Sequence, residues 1–591
     1  MPKVRLPLVG THTTRGIDGQ TVIAAGKDQR FLNVIFDLVI NPITKKATVY
    51  VERRPGWTQN AVVSAGNIST GLIRTDSIGS VVSAFGATNS TIFDSTTSVG
   101  DLTGLALHFS ETIISGIGYI LIRSSDGTGW YYAAGARDVT AYTADMNNST
   151  TITDIKIGGV SSTAGLYSGQ LVADASNTNI VAGTRILSVD SAAYTAVLTA
   201  ATQGGSVADR AFTKTPIAKI LDADFITTGT NISGFVEMDG YVFYCTEDGY
   251  VYHSDQNSFI AWTATNKIAA NSSPDLPIAI AKQNDKIVCF GNNSADAFYN
   301  AGNASGSVLS RYGHPKHVGI QNQRSLVYLG DDIYFVTSSR DGDTQVKRMR
   351  GLEDQKISTP QIDRIIGTAS VSGANIYAST FNLGGYSYLS LVVSAPSLGY
   401  ELDEDDYYVL NEDDGYITLE TDEGTITAFA RILLYNIDLN IWFEWDGTLL
   451  TFIKGLGQSS LNQIIATSRI NTSGKIYQIN PSADGEVYQD DGSTYSAVCQ
   501  TSEVDHGTDA RKFTSKISSI ADTQTAGTVT LECTDDGYAT WQTLGTFDLT
   551  VAAKDIPRCG SYEGGRAYRL THAYNGPWRA SALDETFEVS T

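Results

Sequence analysis

Carboxylates are the side chains that could do chemistry most directly in this sequence, and they are densest between residues 403 and 423. The run Asp403-Glu404-Asp405-Asp406 is followed by Glu412–Asp414 and Asp422–Glu423. An EF-hand calcium loop needs alternating carboxylates ahead of an obligatory glycine. Leu410 stands where Gly415 would require the first aspartate, so that template fails. We therefore interpret the run as a solvated acidic loop, because blocks of like charge usually face water.

Two short stretches combine aspartate and glycine with a following tryptophan. They are Ser125–Trp130 and Thr534–Trp541, and both resemble Asp-box turns, in which a carboxylate caps the amides of the turn and the tryptophan packs beneath. Sialidases carry such turns as structural features away from the active site. We interpret both stretches as hairpin turns, since Asp and Gly suit tight turns without any catalytic role.

Histidine offers one candidate metal pair. His314 and His317 are flanked by Gly313 and Pro315. Zinc takes four ligands, and the sequence names no cysteine or carboxylate that would complete this set. We therefore interpret the two histidines as solvated or packing residues.

The remaining sequence gives no catalytic or cofactor motif. It contains no G-x-S-x-G elbow, no G-x-x-x-x-G-K-(S/T) phosphate loop and no G-x-G-x-x-G after a strand. The five cysteines form no C-x-x-C pair, which predicts neither a disulfide framework nor a zinc site; they are Cys245, Cys289, Cys499, Cys533 and Cys559. We expect a protein that is not an enzyme and that holds no cofactor or metal.

The central stretch from Ile287 to Arg364 predicts successive antiparallel strands and no helix. Short β-branched and aromatic runs alternate there with Gly, Asn and Asp clusters. The runs include Ile287–Gly291, Tyr328–Asp332 and Ile333–Val336, and the stretch closes on Lys356–Asp363.

Similar strands recur along most of the chain. A strand, a turn with Tyr and Asp, and a Trp return at spacings of tens of residues, as in Tyr241–Trp262 and Ile432–Trp445. Loose repetition of this kind is how propeller blades look in one sequence. With 591 residues, 56 Gly and only 13 Pro, the chain is predicted to be an all-β protein whose main part is a β-propeller of about six blades.

Composition divides the chain into four parts. Residues 1–139 are an N-terminal arm and the first propeller strands, 217–497 are the remaining blades, and 498–591 are a C-terminal β-sandwich-like domain. Between 140 and 216 aromatics almost vanish and small polar residues dominate, which predicts an inserted small β-sandwich on the outer face. Such an insertion costs little, because loop closure rises slowly with length.

The order of the central runs resembles the tail nozzle, or packaged-DNA stabilisation, proteins of short-tailed bacteriophages. The matching runs are Ile287–Gly291, Phe298-Tyr299, Tyr328–Asp332 and Lys356–Asp363. Arg30–Asn33 and Arg53–Gly56 look like the opening of that family. The end is similar at Thr534–Trp541, Leu544-Gly545 and Tyr568–Leu570, although Cys559-Gly560 departs from the family pattern.

The resemblance implies a structural virion protein. It would form a ring, a homohexamer, below the portal adaptor in the tail, retain packaged DNA and conduct it at ejection. Its implied partners are other copies of itself, the portal adaptor and tail fibre or tailspike proteins, the fibre being expected at the inserted module. Assembly is expected in the host cytoplasm. A propeller glycosidase or glycan-binding protein is the alternative, but no arginine cluster around a carboxylate supports it.

Net charge agrees with a conduit that does not hold DNA. The formal charge is −22, whereas affinity for nucleic acid comes largely from Lys and Arg that displace counterions. We expect double-stranded DNA to pass without specific binding, with Asp403–Asp406 facing the lumen. We also expect no signal peptide and no membrane insertion, because no apolar run is long enough.

Overall fold

The computed structural model describes most of the chain from residue 3 to residue 590. The parts outside the described residues are 10–11, 16–20, 25–28, 41, 43–44, 46, 63–68, 76–82, 89, 95–96, 134–135, 137–140, 175–178, 227–232, 339–343, 372–375, 395–429, 447–449, 453–463, 469–474 and 480–487.

Strands dominate the described residues. The first seven are β1 (Lys3–Pro7), β2 (His12–Arg15), β3 (Thr21–Ala24), β4 (Arg30–Leu32), β5 (Val34–Ile40), β6 (Ala47–Arg53) and β7 (Thr58–Val62). The next seven are β8 (Ser69–Thr75), β9 (Ser83–Thr88), β10 (Thr91–Asp94), β11 (Thr97–Asp101), β12 (Ala106–Ile114), β13 (Ile117–Ser124) and β14 (Gly129–Ala133). Then come β15 (Ala141–Asn147), β16 (Thr151–Ile157), β17 (Val160–Ser161), β18 (Gln170–Asp174), β19 (Ile186–Asp190), β20 (Thr195–Leu198) and β21 (Ser206–Lys219).

The middle of the chain continues in short strands with one helix. The strands are β22 (Val236–Met238), β23 (Tyr241–Thr246), β24 (Tyr250–Ser254), β25 (Trp262–Ala269), β26 (Ala279–Gln283), β27 (Lys286–Phe290), β28 (Ala295–Asn300), β29 (Leu309–Arg311), β30 (Leu326–Leu329), β31 (Asp332–Val336), β32 (Val346–Arg350) and β33 (Glu353–Lys356). A 3-10 turn covers Gln323–Ser325, and helix α1 covers Pro360–Val371. After it come β34 (Ile376–Leu383), β35 (Tyr386–Ser394), β36 (Ala430–Asn436) and β37 (Ile441–Asp446).

The last thirteen strands finish the propeller and build a second domain. They are β38 (Leu450–Phe452), β39 (Ile464–Ser468), β40 (Lys475–Ile479), β41 (Gln489–Asp490), β42 (Ser493–Thr494), β43 (Ala497–Gln500), β44 (Lys512–Ala521), β45 (Thr528–Thr534), β46 (Gln542–Asp548), β47 (Asp555–Pro557), β48 (Ser561–Tyr562), β49 (Ala567–His572) and β50 (Arg579–Val589).

Seven antiparallel units of four strands form the propeller within the described residues. In chain order they are β8–β11, β12–β14 with β21, β22–β25, β26–β29, β30–β33, β34–β37, and β38–β40 with β7; we number them blades 1 to 7. First strands lie side by side in blades 1 and 2, 3 and 4, and 5 and 6, as β8 with β12, β22 with β26 and β30 with β34. Strand β39 of blade 7 contacts β34 of blade 6 and β8 of blade 1, which closes the ring. The sequence predicted about six blades, and the described residues contain one more.

Blade 7 was hard to count because its four strands come from two distant parts of the chain. Strand β7 pairs antiparallel with β40, from Thr58 opposite Gln478 to Val62 opposite Lys475. The ring is therefore closed by backbone hydrogen bonds between the two ends of the propeller sequence, and no continuous stretch of sequence reads as this blade.

The propeller core lies between blades. One buried cluster joins blades 3 and 4 around Phe243, Ile280 and Phe298, and another joins blades 4 and 5 around Phe290, Ile333 and Phe335. Middle strands such as β31 are buried along their whole length. Burial on both faces explains why the middle strands of the blades are apolar runs without polar alternation in the sequence.

The inserted module grows out of blade 2. Strands β15 to β20 pair among themselves and with β21, and the module has its own core around Tyr142, Ile152 and Phe212. The long strand β21 leaves the module and completes the blade, where Lys219, Ala218 and Ile217 pair with Trp130–Tyr132. One continuous strand thus belongs to both units.

Both ends of the chain share one sandwich. One sheet has the order β47-β44-β50-β6-β5, with β1 paired to β50. The other runs β4-β43-β49-β45-β46 and continues from blade 6 as a single nine-stranded sheet, because β4 pairs with β37. The four sequence-based domain boundaries stay predictions, but strand pairing places β1 and β4–β6 in the sheets of the C-terminal region.

Helix α1 corrects the prediction of sheet throughout Ile287–Arg364. The helix begins at Pro360, directly after β33. Proline suits the first helical position, and the amide of Ile362 donates to the Thr359 hydroxyl (3.4 Å), which is the bond of a helix N-cap. The Thr359-Pro360 pair is a signal for the start of a helix. The β-branched and aromatic runs around it nevertheless led to the prediction of strands. Among the described residues, no helix is long and apolar enough to span a membrane.

The module should be removable. We predict that replacing residues 140–216 with a short Gly/Ser linker leaves a folded propeller, because the module has a separate core and 217–219 still pair with β14. Circular dichroism and thermal unfolding would show a β-rich, cooperative transition. The same linker in place of blade 4 should abolish folding, since that blade shares cores with both neighbours. Loss of folding in the module variant would contradict the insertion.

Candidate functional site

The segment Arg53–Trp57 connects the terminal sandwich to blade 7. It follows β6 of the sandwich and leads into β7 of the propeller. The hairpin β41–β42, which links blade 7 back to β43, packs against it. The two family-like runs near the N-terminus, Arg30–Asn33 and Arg53–Gly56, meet here, and we call this region the junction.

Asn33 connects those two runs. Its side-chain oxygen accepts from Nε of Arg54 (3.1 Å), and its amide donates to the carbonyl of Ser496 (3.0 Å). The backbone of Asn33 has φ of 56°, a conformation that Asn tolerates better than most residues. An asparagine at this position therefore satisfies both the turn between β4 and β5 and the buried guanidinium.

Arg54 is fully buried and paired. Its guanidinium forms two bonds with the Asp490 carboxylate (2.9 and 2.6 Å), and it lies 3.9 Å above the ring of Tyr495. Trp445 of blade 6 contacts the same cation at 5.3 Å. Bidentate pairing satisfies the charge of the guanidinium and fixes its geometry. Arg54 therefore joins blade 6 and the hairpin β41–β42 to the segment Arg53–Trp57.

Gly56 and Trp57 fix the hairpin against the linker. A Cβ added at Gly56 would lie 2.1 Å from the carbonyl oxygen of Gln489, so only glycine allows this approach. The Trp57 amide donates to Asp490 (3.1 Å), and the Trp57 carbonyl accepts from the amide of Asp491 (2.8 Å). The runs Arg30–Asn33 and Arg53–Gly56 thus both take part in the contact between this segment and the hairpin β41–β42.

Arg53 binds neutral acceptors from three segments. Its guanidinium donates to the carbonyls of Tyr488 (3.1 Å), Tyr495 (2.6 Å) and Tyr574, and to Nδ1 of His572 (3.1 Å). Burial and, secondarily, the charge of Arg53 lower the pKa of His572 to about 4. The imidazole is therefore neutral near pH 7, with its proton on Nε2, because arginine only donates.

A cleft of about 490 Å³ opens beside the junction, lined by residues of β4, β6, β37 and the start of α1. Phe31 and Phe443 form buried parts of its wall, and Arg30 pairs with Glu444 at 3.6 Å. Among the lining residues that the structure describes, Glu444 is the only carboxylate, and none is His, Cys or Ser. These lining residues hold no nucleophile with an adjacent base.

The family-like run Lys356–Asp363 forms another wall of the cleft through Thr359 and Ile362. Asp363 accepts from the Ser358 hydroxyl (2.5 Å) and from Lys356 (2.5 Å), which fixes the entry to α1. Indole Nε1 of Trp442 donates to the carbonyl of Ile357 (2.8 Å). This run therefore anchors α1 to blade 6.

The histidine pair and the acidic loop were the other groups of ligand-type side chains that the sequence offered. His314 and His317 are exposed in the loop after β29. Asp403, Glu404, Asp405 and Asp406 lie outside the described residues, so their position facing a lumen stays a prediction.

The two aspartate turns are built as the sequence indicated. Asp126 accepts from the amide of Thr128 (3.1 Å), and Trp130, whose Nε1 donates to the Thr128 hydroxyl (2.7 Å), is buried beneath. Burial raises the pKa of Asp126, but bonds from the Ser124, Thr103 and Thr128 groups outweigh it and lower the pKa to about 2.

The second turn is more exposed. Asp536 accepts from the amide of Thr540 (3.0 Å), which together with the Thr540 and Thr534 hydroxyls lowers its pKa to about 2. Trp541 is half-buried under the guanidinium of Arg569, 4.2 Å from the ring. Both carboxylates serve their turns.

One acidic triad in the module has metal-like spacing. Asp145, Asp154 and Asp209 lie close together, and Lys156 bonds to Asp154 (2.7 Å) and Asp209 (2.8 Å). The lysine supplies the positive charge that an ion would bring, so the triad is an ion-pair cluster.

Sequence reasoning missed Asp490 and Tyr495. The signal was Asp491-Gly492, whose φ values of 49° and 86° give the turn of a tight hairpin. An Asp-Gly pair predicts such a hairpin, but nothing in the sequence shows that it packs onto Arg54, more than four hundred residues earlier.

The fold defines a class of protein, an all-β propeller that carries an inserted module and a sandwich built from both chain ends. The described residues contain seven of its blades. Residues 165–402 match the family model described as Bacteriophage P22 Gp10, beta-propeller. The match runs from the module into the stretch after β35, and it confirms the resemblance inferred from the central runs. No curated protein sequence matches the chain.

Solved structures resemble the chain only distantly. A computationally designed protein, Ika8, matches with 10% identity and a TM-score of 0.29, over 71% of this chain and 99% of its own. Raptor from Chaetomium thermophilum matches with 10% identity and a TM-score of 0.33, over 73% and 29%. An exo-beta-1,3-galactanase from Phanerochaete chrysosporium gives 10% identity and 0.23, over 62% and 98%. These values carry no argument about function.

Removing the partner of Arg54 should destabilise the protein strongly. We predict that Asp490→Asn lowers the free energy of unfolding by about 3–5 kcal/mol, because it leaves a buried guanidinium without a carboxylate. Denaturant unfolding followed by tryptophan fluorescence measures this. Asp154→Asn, which breaks an exposed ion pair, is the matched control and should leave the midpoint unchanged. Equal midpoints for both variants would contradict the role of Arg54.

His572 should make stability depend on pH. The folded pKa is about 4 and the ordinary value about 6.5, so between them the unfolded chain binds the proton and the folded one does not. Stability should fall as pH drops from about 6.5 to about 4, by on the order of 3 kcal/mol. His572→Gln keeps an acceptor for Arg53 and should flatten this part of the profile. An unchanged slope in that variant would contradict the assignment.

Proposed function

We propose that this protein forms the tail nozzle of a short-tailed phage, a ring below the portal adaptor that retains packaged DNA and conducts it during ejection. The observation that carries the proposal is the match of residues 165–402 to the phage P22 Gp10 propeller family. The family is a phage structural family, and the nozzle position is our proposal from the ordered runs within and beside that match.

Charge supports a conduit that does not grip its cargo. The chain carries 63 acidic and 41 basic residues, and a wall rich in Lys and Arg would slow DNA by exchanging counterions for phosphate contacts. Much of the positive charge is engaged internally, as in Arg54 with Asp490 and Arg566 with Asp535 (2.6 Å). In the proposed hexamer the loop Asp403–Asp406 faces the lumen and repels the duplex.

The fold suits a part that must keep its shape under mechanical force. The propeller ring is closed by β7, and one sheet continues from blade 6 into the sandwich. A wall of this kind keeps its shape while a polyanion moves past it. Retention before ejection then comes from a plug, a partner or a constriction, and the proposed partners are the portal adaptor and a tail fibre or tailspike.

Electron microscopy of the purified protein, alone and mixed with its portal adaptor, tests the ring. The expected result is a closed ring of six copies that forms on the adaptor, with an open lumen. Copies that stay monomeric in both samples would overturn the proposal.

Filter binding with a DNA duplex tests the conduit. We predict negligible binding at physiological salt, where charges are screened beyond about 8 Å. Lysine substitutions at Asp403–Asp406 should create salt-sensitive binding and slow ejection without blocking ring assembly. Tight, salt-sensitive binding by the unmodified protein would overturn the account of a repelling lumen.

The proposed nozzle is not an enzyme, and incubation with host polysaccharide, sialosides or peptidoglycan should release no product. Turnover that a single carboxylate substitution abolishes would establish the glycosidase alternative instead. Asp126 and Asp536, whose pKa values are lowered to about 2, are held by hydrogen bonds within their turns.

A further inference from the structure

The loop between β49 and β50 contains the pair Asn575-Gly576, which is the only Asn-Gly sequence in the chain. Asn575 is exposed, and its side-chain amide makes no hydrogen bond within the described part of the chain. Glycine has no Cβ to shield its backbone nitrogen, so this nitrogen can approach the carbonyl carbon of the preceding side chain. The pair therefore has the features that favour attack of the backbone on its own side chain.

A three-residue turn holds the pair in the folded protein. The Gly576 amide donates to the Tyr574 carbonyl (2.9 Å) across Asn575, which is the bond of a γ-turn. This bond must open before the nitrogen can attack. The Tyr574 carbonyl also accepts from the guanidinium of Arg53, so it keeps a partner when the turn opens. Opening thus breaks one hydrogen bond, and exposed loops open locally at low cost in free energy.

Both ends of the loop are fixed by contacts with Arg53 of the junction. His572 and Trp578 are buried, and their rings stack at 5.9 Å. Nδ1 of His572 accepts from the Arg53 guanidinium (3.1 Å), and the carbonyl of Trp578 accepts from the Arg53 amide (2.9 Å). Any change in the length of the backbone between these two anchors must therefore be taken up by residues 573–577.

We propose that Asn575 is a site of spontaneous deamidation, and that one of its products loosens the junction. A base in the solvent takes the proton of the Gly576 amide, and the nitrogen attacks Cγ of Asn575. The bond from Cγ to Nδ2 breaks, the departing nitrogen takes up a proton and leaves as ammonia, and a succinimide ring remains. Water then opens the ring at either carbonyl and gives aspartate or isoaspartate. No oxidant or reductant takes part, and the chemistry is independent of the proposed nozzle function.

Isoaspartate is the product that disturbs the loop. It routes the backbone through Cβ of residue 575 and so adds one atom between the two anchors. The residue directly before it, Tyr574, supplies an acceptor to Arg53, and the added atom shifts this carbonyl. Arg53 is buried, and its Nε already has no partner among the described residues. Loss of an acceptor by a buried donor lowers stability, so the junction weakens as modified copies accumulate.

Ageing of the full-length folded protein in mildly alkaline buffer, followed by tryptic digestion and mass spectrometry, tests the site. We expect the peptide 570–579 to exchange a side-chain NH2 for OH, with isoaspartate detected by enzymatic methylation. Asn148, which precedes Ser149 and accepts from the Gly205 amide (2.8 Å), is the internal control and should react more slowly. An Asn575 that stays unmodified, or that reacts no faster than Asn148, would overturn the proposal.

Two variants connect the chemistry to the junction. Asn575→Gln keeps an amide but must close a larger ring, so it should resist deamidation, and Asn575→Asp supplies the negative charge without the added backbone atom. Ageing should lower the thermal unfolding temperature of the unmodified protein and leave that of Asn575→Gln unchanged, while freshly prepared Asn575→Asp should unfold like the fresh unmodified protein. An equal loss in the aged Gln variant, or an immediate loss of the same size in the Asp variant, would contradict the effect of isoaspartate on Arg53.

Discussion

The buried pair of Arg54 and Asp490 is the interaction on which the rest of this structure depends. A guanidinium without exposure to water is tolerated only when its charge and donors are satisfied. Here the carboxylate of a late hairpin, the side chain of Asn33 and the rings of Tyr495 and Trp445 do this together. The propeller, the hairpin and the sandwich thus meet around one cation, and a change in any of them changes its surroundings.

This arrangement explains why two short N-terminal runs carry so much information. Arg30–Asn33 and Arg53–Gly56 have no chemistry that a sequence motif would disclose. Their residue types are dictated by a left-handed backbone at Asn33, a charge at Arg54 and a close approach at Gly56. Each requirement comes from a partner far away in the chain. The constraint is therefore visible in the residues, while its cause is visible only in three dimensions.

Whether the partners of a residue lie nearby or far away in the chain also decides which parts of the fold the sequence could predict. Apolar runs bounded by Gly, Asn and Asp predicted the blades, because blade 1 and blades 3 to 6 are local meanders of consecutive strands. The separate module was indicated by its loss of aromatics, and its described core is mainly aliphatic, around Ile152, Ile155 and Ile186, with Tyr142 and Phe212 as its aromatic members. Blade 7 and the shared sandwich could not be predicted from the sequence, because their strands pair across hundreds of residues. The junction and the cleft beside it are assembled from such distant parts, so periodicity gave no signal for them. The helix at Pro360 was not predicted because it lies in a strand-rich stretch.

Because β7 completes blade 7, this blade can form only after nearly the whole propeller sequence has been synthesised. Strand β7 waits for β40, which follows about 400 residues later. At a ribosomal rate of about 5–20 residues per second, that interval is roughly 20–80 s. During this time the exposed edge of Thr58–Val62 is open to wrong partners, and each sandwich sheet likewise lacks its C-terminal strands. Synthesis must therefore keep the first sixty residues apart from other nascent chains until the last blade emerges, so crowded polysomes are where this protein is most vulnerable to aggregation.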